Sequence, residues 1–130
     1  MRVEWAVACR FVEVHDGLAT MVGAGIDNCA VSELPSQVGL MVAVRVAVAP
    51  ADTGTPQEVT GRVLDPSLNE VGTLTAGFQM NGAPHPQPGW EGHITIPIAI
   101  GWEVEEPGIY TLSFSAGATN YDIPIVVAVA

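Results

Sequence analysis

The sequence contains no lysine and only four arginines, against 14 aspartate and glutamate residues, so its formal net charge is −10. Affinity for nucleic acids comes largely from lysine and arginine side chains that neutralise phosphates, and anionic membrane surfaces also attract basic segments. We therefore expect neither a nucleic acid nor a membrane as a partner. The acidity instead favours solubility or a positively charged partner.

Long apolar runs are also missing, although 48% of the residues are hydrophobic. A membrane-spanning helix needs about 18 consecutive apolar residues, and no run in this sequence comes near that length. The apolar core of a signal peptide is free of charge, whereas Glu4 and Arg10 interrupt the first apolar stretch. We expect a protein that stays in the cytoplasm.

Cysteine is scarce as well, since Cys9 and Cys29 are the only two. If Asp16-Gly17 forms the turn of a hairpin, the strand positions of the two cysteines differ by roughly 17 Å. A disulfide requires Cα atoms closer than about 7 Å. We therefore expect two reduced thiols, as is usual in a reducing compartment.

What the sequence does contain is alternation of large apolar residues with polar or small ones. Every second residue is large and apolar from Leu40 to Val48, and again from Ile94 to Val104. Such alternation predicts strands with one buried face. About eight strands of this kind, separated by glycine and proline turns, predict an all-β fold: a single domain over residues 1–130, built as an antiparallel two-sheet β-sandwich. The Glu-Pro-Gly turn before Tyr110 resembles the tyrosine corner of immunoglobulin-like Greek-key sandwiches.

Three local features modify this pattern. The phase of the alternation changes at Phe11-Val12, which predicts a β-bulge, and Asp16-Gly17 predicts a tight hairpin turn. Residues 28–39 show no clear alternation and are expected to be irregular. The last strand, residues 123–129, carries no charged side chain, so its edge would invite pairing with another chain unless it is central or covered.

Two motifs with known chemistry are incomplete. Gly23 and Gly25 lack the third glycine and the helix of a dinucleotide-binding loop. Asp65, Ser67 and Asn69 have the spacing of the first ligands of a calcium loop, but the glycine and the bidentate glutamate of such a loop are missing. Close strand packing and a plain turn explain these residues better.

The remaining reactive side chains form no recognisable set either. The histidines and cysteines lack the spacing of metal ligands, and no serine lies in a Gly-x-Ser-x-Gly elbow. Glu103, Glu105 and Glu106 lie beside a turn, as in a solvated acidic edge. We predict no catalytic residue, no cofactor and no metal site, and hence a protein that is not an enzyme.

The stretch from Asn81 to Gly92 is the strongest candidate for a recognition loop, because its three prolines stiffen it. Trp90 is of the residue type that dominates binding hot spots, and loops at sandwich ends often carry recognition. The same tryptophan could instead fold back and cap the core, and the sequence leaves both possibilities open. The candidate contacts in this loop are His85, Pro86, Trp90 and Glu91.

Self-association is the second candidate property. Several positions that should face outward are apolar or small, which indicates that part of the outer surface is covered by a partner. We expect a homo-oligomer whose contacts include Met41, Ala43, Ala47, Val126 and Ala128.

Three stretches carry a resemblance over nearly the whole chain. They are residues 2–27, which begin Arg-Val-Glu-Trp and contain an Asp-Gly-Leu-Ala-Thr turn at Asp16, residues 62–72, and the Glu-Pro-Gly-x-Tyr motif at residues 106–110. The sequence resembles a small, uncharacterised bacterial family that is common in actinobacteria. This resemblance implies a stand-alone domain of unknown function and supplies no catalytic residues.

Together these observations predict a non-enzymatic interaction or scaffold module that self-associates or binds another protein. One alternative is a small-molecule or carbohydrate-binding module that uses Trp90, Trp102 and nearby acidic side chains. Tryptophan faces stack well on sugars, although a sugar platform usually exposes several aromatic residues together. A second alternative is a phage-derived virion accessory protein.

Overall fold

Strands account for most of the chain in the computed structural model, which describes all 130 residues. The all-β prediction is confirmed, with ten strands where about eight were expected and a single 3-10 turn at Pro50–Asp52. The strands are β1 (Arg2–Cys9), β2 (Phe11–His15), β3 (Leu18–Val22), β4 (Asn28–Val31), β5 (Ser36–Val48), β6 (Gln57–Leu64), β7 (Glu70–Phe78), β8 (Gly92–Val104), β9 (Gly108–Ala116) and β10 (Thr119–Val129).

The strands form three sheets, so the expected count of two is wrong. A three-stranded sheet has the order β1-β5-β8, a five-stranded sheet has the order β4-β10-β9-β6-β7, and β2 pairs only with β3. All pairings are antiparallel except that of β4 with β10. The two larger sheets contribute to one buried cluster, an arrangement consistent with a β-sandwich.

The core confirms the predicted alternation in the two longest strands. From β5 and β8, every second residue enters the same cluster as residues of β6, β9 and β10, so the two sheets share their inner faces. Leu40, Ile94 and Ile96 are half-buried at its margin. The fully or nearly fully buried members from the two long strands are Val42, Val44, Val46, Val48, Ile98, Ile100, Trp102 and Val104.

The hairpin of β2 and β3 forms as the sequence predicts. Asp16 and Gly17 both adopt positive φ, 51° and 75°, as the tight turn between two antiparallel strands requires. The hairpin folds over the outer face of the three-stranded sheet, where Val12 packs with Cys9 and Ala43 in a second, small buried cluster. The chain therefore covers part of its own outer surface.

The predicted bulge near Phe11-Val12 is wrong in position. The strand ends at Cys9, Arg10 makes a bend, and Phe11 begins a new strand. The bulge lies earlier, between Val3 and Trp5, where the register of β1 against β5 shifts. Because the shift reverses the phase, Val3 joins the main core whereas Trp5 lies under the hairpin.

The structure corrects the expectation for residues 28–39 and decides the conditional expectation for the last strand. Residues 28–39, expected to be irregular, contain β4 and the first part of β5. β4 adds to β10 in parallel, with Val126 beside Asn28 and Val129 beside Val31. The end of the apolar last strand, Val126–Val129, therefore lies between β9 and β4, so this part of its edge is paired within the chain.

Candidate interaction surfaces

Trp90 lies in the loop between β7 and β8 and is 62% exposed, so it does not cap the core. Its ring lies 5.2 Å from the His85 ring, measured between centroids, at an interplanar angle of 34°. The backbone N–H of Gln87 donates to Nδ1 of His85 at 2.9 Å and fixes that ring. The structure thus brings His85 and Trp90 together, and Pro86 lies exposed between them.

Glu91 has a different role from the other loop candidates. Its carboxylate accepts a hydrogen bond from the Arg2 guanidinium at 2.5 Å, and this contact and its charge raise the pKa of Arg2. The ion pair ties the end of the loop to β1. Glu91 is therefore better described as an anchor of the loop than as a free contact residue.

One of the two tryptophans that the carbohydrate-binding alternative requires is not accessible to a ligand. Trp102 is 3% exposed, and its ring packs 6.1 Å from the Tyr110 ring inside the core. Trp5 is half-buried under the hairpin. Only Trp90 has a largely exposed indole, whereas a sugar platform normally offers several aromatic faces together.

Two of the five positions expected at an oligomer interface are buried within the chain. Ala43 is covered by the hairpin, and Ala47 is fully buried beside its register partners Arg2 and His93. These alanines are small because other parts of the same chain pack over them. Met41 is half-buried against the small cluster that contains Ala43. Val126, at 44% exposure, and Ala128 remain accessible.

A polar network covers the outer face of the three-stranded sheet beyond the hairpin. Oε2 of Glu4 accepts a hydrogen bond from Nε of Arg45 at 2.9 Å, and its Oε1 lies 3.0 Å from Nε2 of His93. Burial alone would raise the pKa of Glu4, but the contacts with Arg45 and His93 outweigh it and lower the pKa. This face is therefore closed by internal partners along most of β5.

The outer face of the five-stranded sheet is open by contrast. Strand register places Val126 directly beside Ile109 of β9 and Ala128 beside Ala30 of β4. Ile109 is 56% exposed. Paired residues project from the same face of a sheet, so these four side chains form one apolar surface, which we call the outer apolar patch. Sequence reasoning missed Ile109, although its alternation with the inward Tyr110 and Leu112 would have indicated it.

A charged row crosses the same face. Asp122 of β10 pairs with Ser113 of β9, and Ser113 pairs with Arg62 of β6. Neither Asp122 nor Arg62 has an oppositely charged group within 4.0 Å. The row therefore presents one free negative and one free positive side chain on either side of the central strand.

The two cysteine thiols and the Asp65 carboxylate lie in ordinary structural environments. Burial raises the pKa of both free thiols, Cys9 and Cys29, so they stay protonated at neutral pH. The Asp65 carboxylate accepts hydrogen bonds from the backbone N–H groups of Ser67 and Asn69 at 2.9 and 2.8 Å, so it stabilises a turn. No group of three or more His, Cys, Asp or Glu side chains is arranged to hold a metal ion.

An acidic cavity of about 590 Å³ lies where β8 turns into β9. Glu103, Glu105, Glu106 and Asp65 line it beside Tyr110. None of the four carboxylates has a cationic partner within 4.0 Å. This cavity matches the solvated acidic edge that the sequence predicts.

The structure contains no helix with the length and apolar character that a bilayer crossing requires. Comparison of the chain with protein families, curated proteins and solved structures finds no match.

Proposed function

We propose that this chain is a non-enzymatic, cytoplasmic protein-interaction module that self-associates through the outer face of its five-stranded sheet. The proposal rests on one observation: the outer face of the three-stranded sheet is covered, whereas that of the five-stranded sheet is not. The hairpin, which itself exposes Phe11, Leu18 and Val22, and the Glu4 network cover the three-stranded sheet. The five-stranded sheet has no such cover and leaves Ile109 and Val126 more than 40% exposed beside the charged row. Exposed apolar side chains that adjoin one another mark interaction sites.

The charged row makes this face complementary to itself. Two copies can pack face to face about a two-fold axis that runs parallel to β9 and passes over Ser113. Such an axis exchanges the two sides of the sheet, so Asp122 of one copy would lie opposite Arg62 of the other, twice per dimer. Isologous interfaces are self-complementary in this way. The same axis would bring the two Ile109 side chains together.

The face is large enough for a specific dimer interface. It spans five strands, and β9 contributes nine residues to its length. At the usual strand spacing and rise it measures roughly 20 by 30 Å. Covering it in both copies would bury roughly 1,200 Å², which is at the lower end of the range for specific interfaces.

An immunoglobulin-like Greek-key topology is part of the proposal, and two features support it. The Tyr110 hydroxyl donates a hydrogen bond to the Glu106 carbonyl at 2.7 Å, the contact that defines a tyrosine corner at the start of the penultimate strand. The sequential order β5, β6, β7 also moves from one large sheet to the other and back at β8. Membership of the actinobacterial family that the sequence resembles stays a proposal as well.

Sedimentation of the purified chain tests the proposal. We expect a dimer at micromolar concentration, and we expect Ile109→Asp to give a monomer because it would bury two like charges at the two-fold axis. The matched control is Leu18→Asp at the hairpin tip, where the side chain is 75% exposed, and it should leave the dimer intact. A monomeric wild-type chain, or equal dissociation by both substitutions, would contradict the proposal.

A further inference from the structure

The second open surface lies where β1 stops short of the end of its partner. β5 pairs with β8 along its whole length, from Ser36 to Val48, but its pairing with β1 ends at Cys9 beside Met41. From Ser36 to Leu40 the edge of β5 therefore has no strand beside it. In an antiparallel sheet, alternate residues of such an edge direct both N–H and C=O groups toward the vacant side.

The path of the chain explains the gap. After Cys9 the backbone bends away into the hairpin and returns at Gly25 and Ile26, whose N–H groups donate to the Ala8 carbonyl at 2.9 and 3.0 Å. It then crosses to β4 in the other sheet. The chain thus passes the end of β1 without extending along β5.

A groove of about 530 Å³ occupies this place, and most of its lining is apolar. Its floor contains Gly39 and Gly101, which pair across β5 and β8 and are both exposed. Neither glycine has the positive φ that favours glycine. A Cβ atom at Gly39 would meet only the Ile100 carbonyl oxygen, at 3.9 Å. A Cβ atom at Gly101 would meet the Val38 carbonyl oxygen at 3.4 Å. Intrachain packing therefore does not require glycine at position 39, and the missing side chains of both residues keep the groove open.

Arg10 supplies a charge at the same place. It lines the groove and has no carboxylate within 4.0 Å, in contrast to Arg2 and Arg45, which are paired with glutamates. Its aliphatic stem lies against Gly23, where an added Cβ would come within 3.0 Å of Arg10 Cγ. A chain with a net charge of −10 therefore keeps a free cation beside an apolar groove and an open strand edge.

We propose that this groove is a strand-addition site for an extended segment of a partner protein. The segment runs in the direction of β1, its main chain pairs with β5 over Ser36–Gly39, and an apolar side chain lies over Gly39 and Gly101. The acidic residue just before the paired stretch binds Arg10. Edge pairing of this kind takes affinity from main-chain hydrogen bonds and specificity from alternate side chains. The site belongs to the other large sheet, so it does not depend on the proposed dimer.

The test is an NMR titration of the ¹⁵N-labelled chain with the capped peptide Ac-Glu-Val-Thr-Val-Thr-NH₂. We expect saturable shifts at the amides of Arg10, Gly39 and Leu40. Replacing the peptide's glutamate by glutamine should weaken binding by about tenfold, the size of a charge-assisted hydrogen bond. Shifts that do not saturate at millimolar peptide, or equal affinity for both peptides, would overturn the proposal.

A pair of glycine variants distinguishes filling of the groove from the general effect of replacing an exposed strand glycine by valine. Gly39→Val should fold normally and abolish the shifts, because its side chain occupies the space that the peptide needs. Gly77→Val on β7 is the matched control, since Gly77 is also exposed and a Cβ there would meet only the Gln57 carbonyl oxygen at 3.8 Å. It should bind the peptide like the wild type. Ile109→Asp should also retain binding, so failure of the dimer and failure of the groove are distinguishable.

Discussion

At the scale of single residues, Tyr110 has the most informative position. Its ring is buried against Trp102, while its hydroxyl reaches back to the Glu106 carbonyl and closes the turn that begins β9. Burial raises the pKa of this phenol, so it remains a hydrogen-bond donor throughout the neutral range. The Tyr110 side chain thus links the core to the turn that precedes β9, the strand to which Ile109 belongs.

Tyr110→Phe should lower the free energy of unfolding by about 1 kcal/mol, because the Glu106 carbonyl loses its donor while the ring remains packed. Chemical denaturation measures this difference. The control is Tyr121→Phe, whose side chain is 36% exposed and should change the free energy by less than about 0.5 kcal/mol. Equal effects of the two substitutions would show that the hydrogen bond of Tyr110 does not contribute.

Residue alternation predicted the inward side chains of β5 and β8 because each strand keeps its phase along its whole length. The same rule placed Ala43 and Ala47 on the outer face, but the expectation that they contact another copy is wrong because both are buried within the chain. Alternation assigns a side chain to a face, but it does not say which other segment packs on that face. Trp90 was left open for the same reason, because no periodic pattern applies within a loop.

At the scale of elements, the hairpin of β2 and β3 decides which surface stays open. Asp16-Gly17 predicted its turn because a tight turn needs positive φ and depends only on local sequence. β4 could not be predicted in the same way. It is four residues long and pairs in parallel with β10, nearly a hundred positions away, so no local pattern indicates it. The shift in register at Val3 and Trp5 is likewise set by packing under the hairpin.

Two alanines test the covering role of the hairpin. Ala43→Asp would bury a charge beneath it and should destabilise the fold by several kcal/mol or prevent folding. Ala118→Asp, in the exposed turn between β9 and β10, should fold with a nearly unchanged melting temperature. Thermal unfolding followed by circular dichroism compares the two. Similar melting temperatures would contradict the assignment of Ala43 to the covered face.

At the scale of the whole molecule, the two outer faces differ in how they are completed. One is closed by the hairpin and by ion pairs within the chain, and the other presents apolar side chains beside an unpaired Asp122 and Arg62. The sequence indicated self-association from the number of apolar outward positions. It could not locate the interface, because that depends on which strands lie next to one another in the sheet.

The central claim is that Asp122 of one copy lies opposite Arg62 of the other. Its most direct test is the dissociation constant, measured by sedimentation, of Arg62→Glu, Asp122→Arg and the double variant that exchanges the two charges. Each single substitution should weaken the dimer by at least about tenfold, because like charges then face each other twice. The double variant should recover most of the lost affinity. Additive losses in the double variant, or no loss in either single variant, would contradict the account.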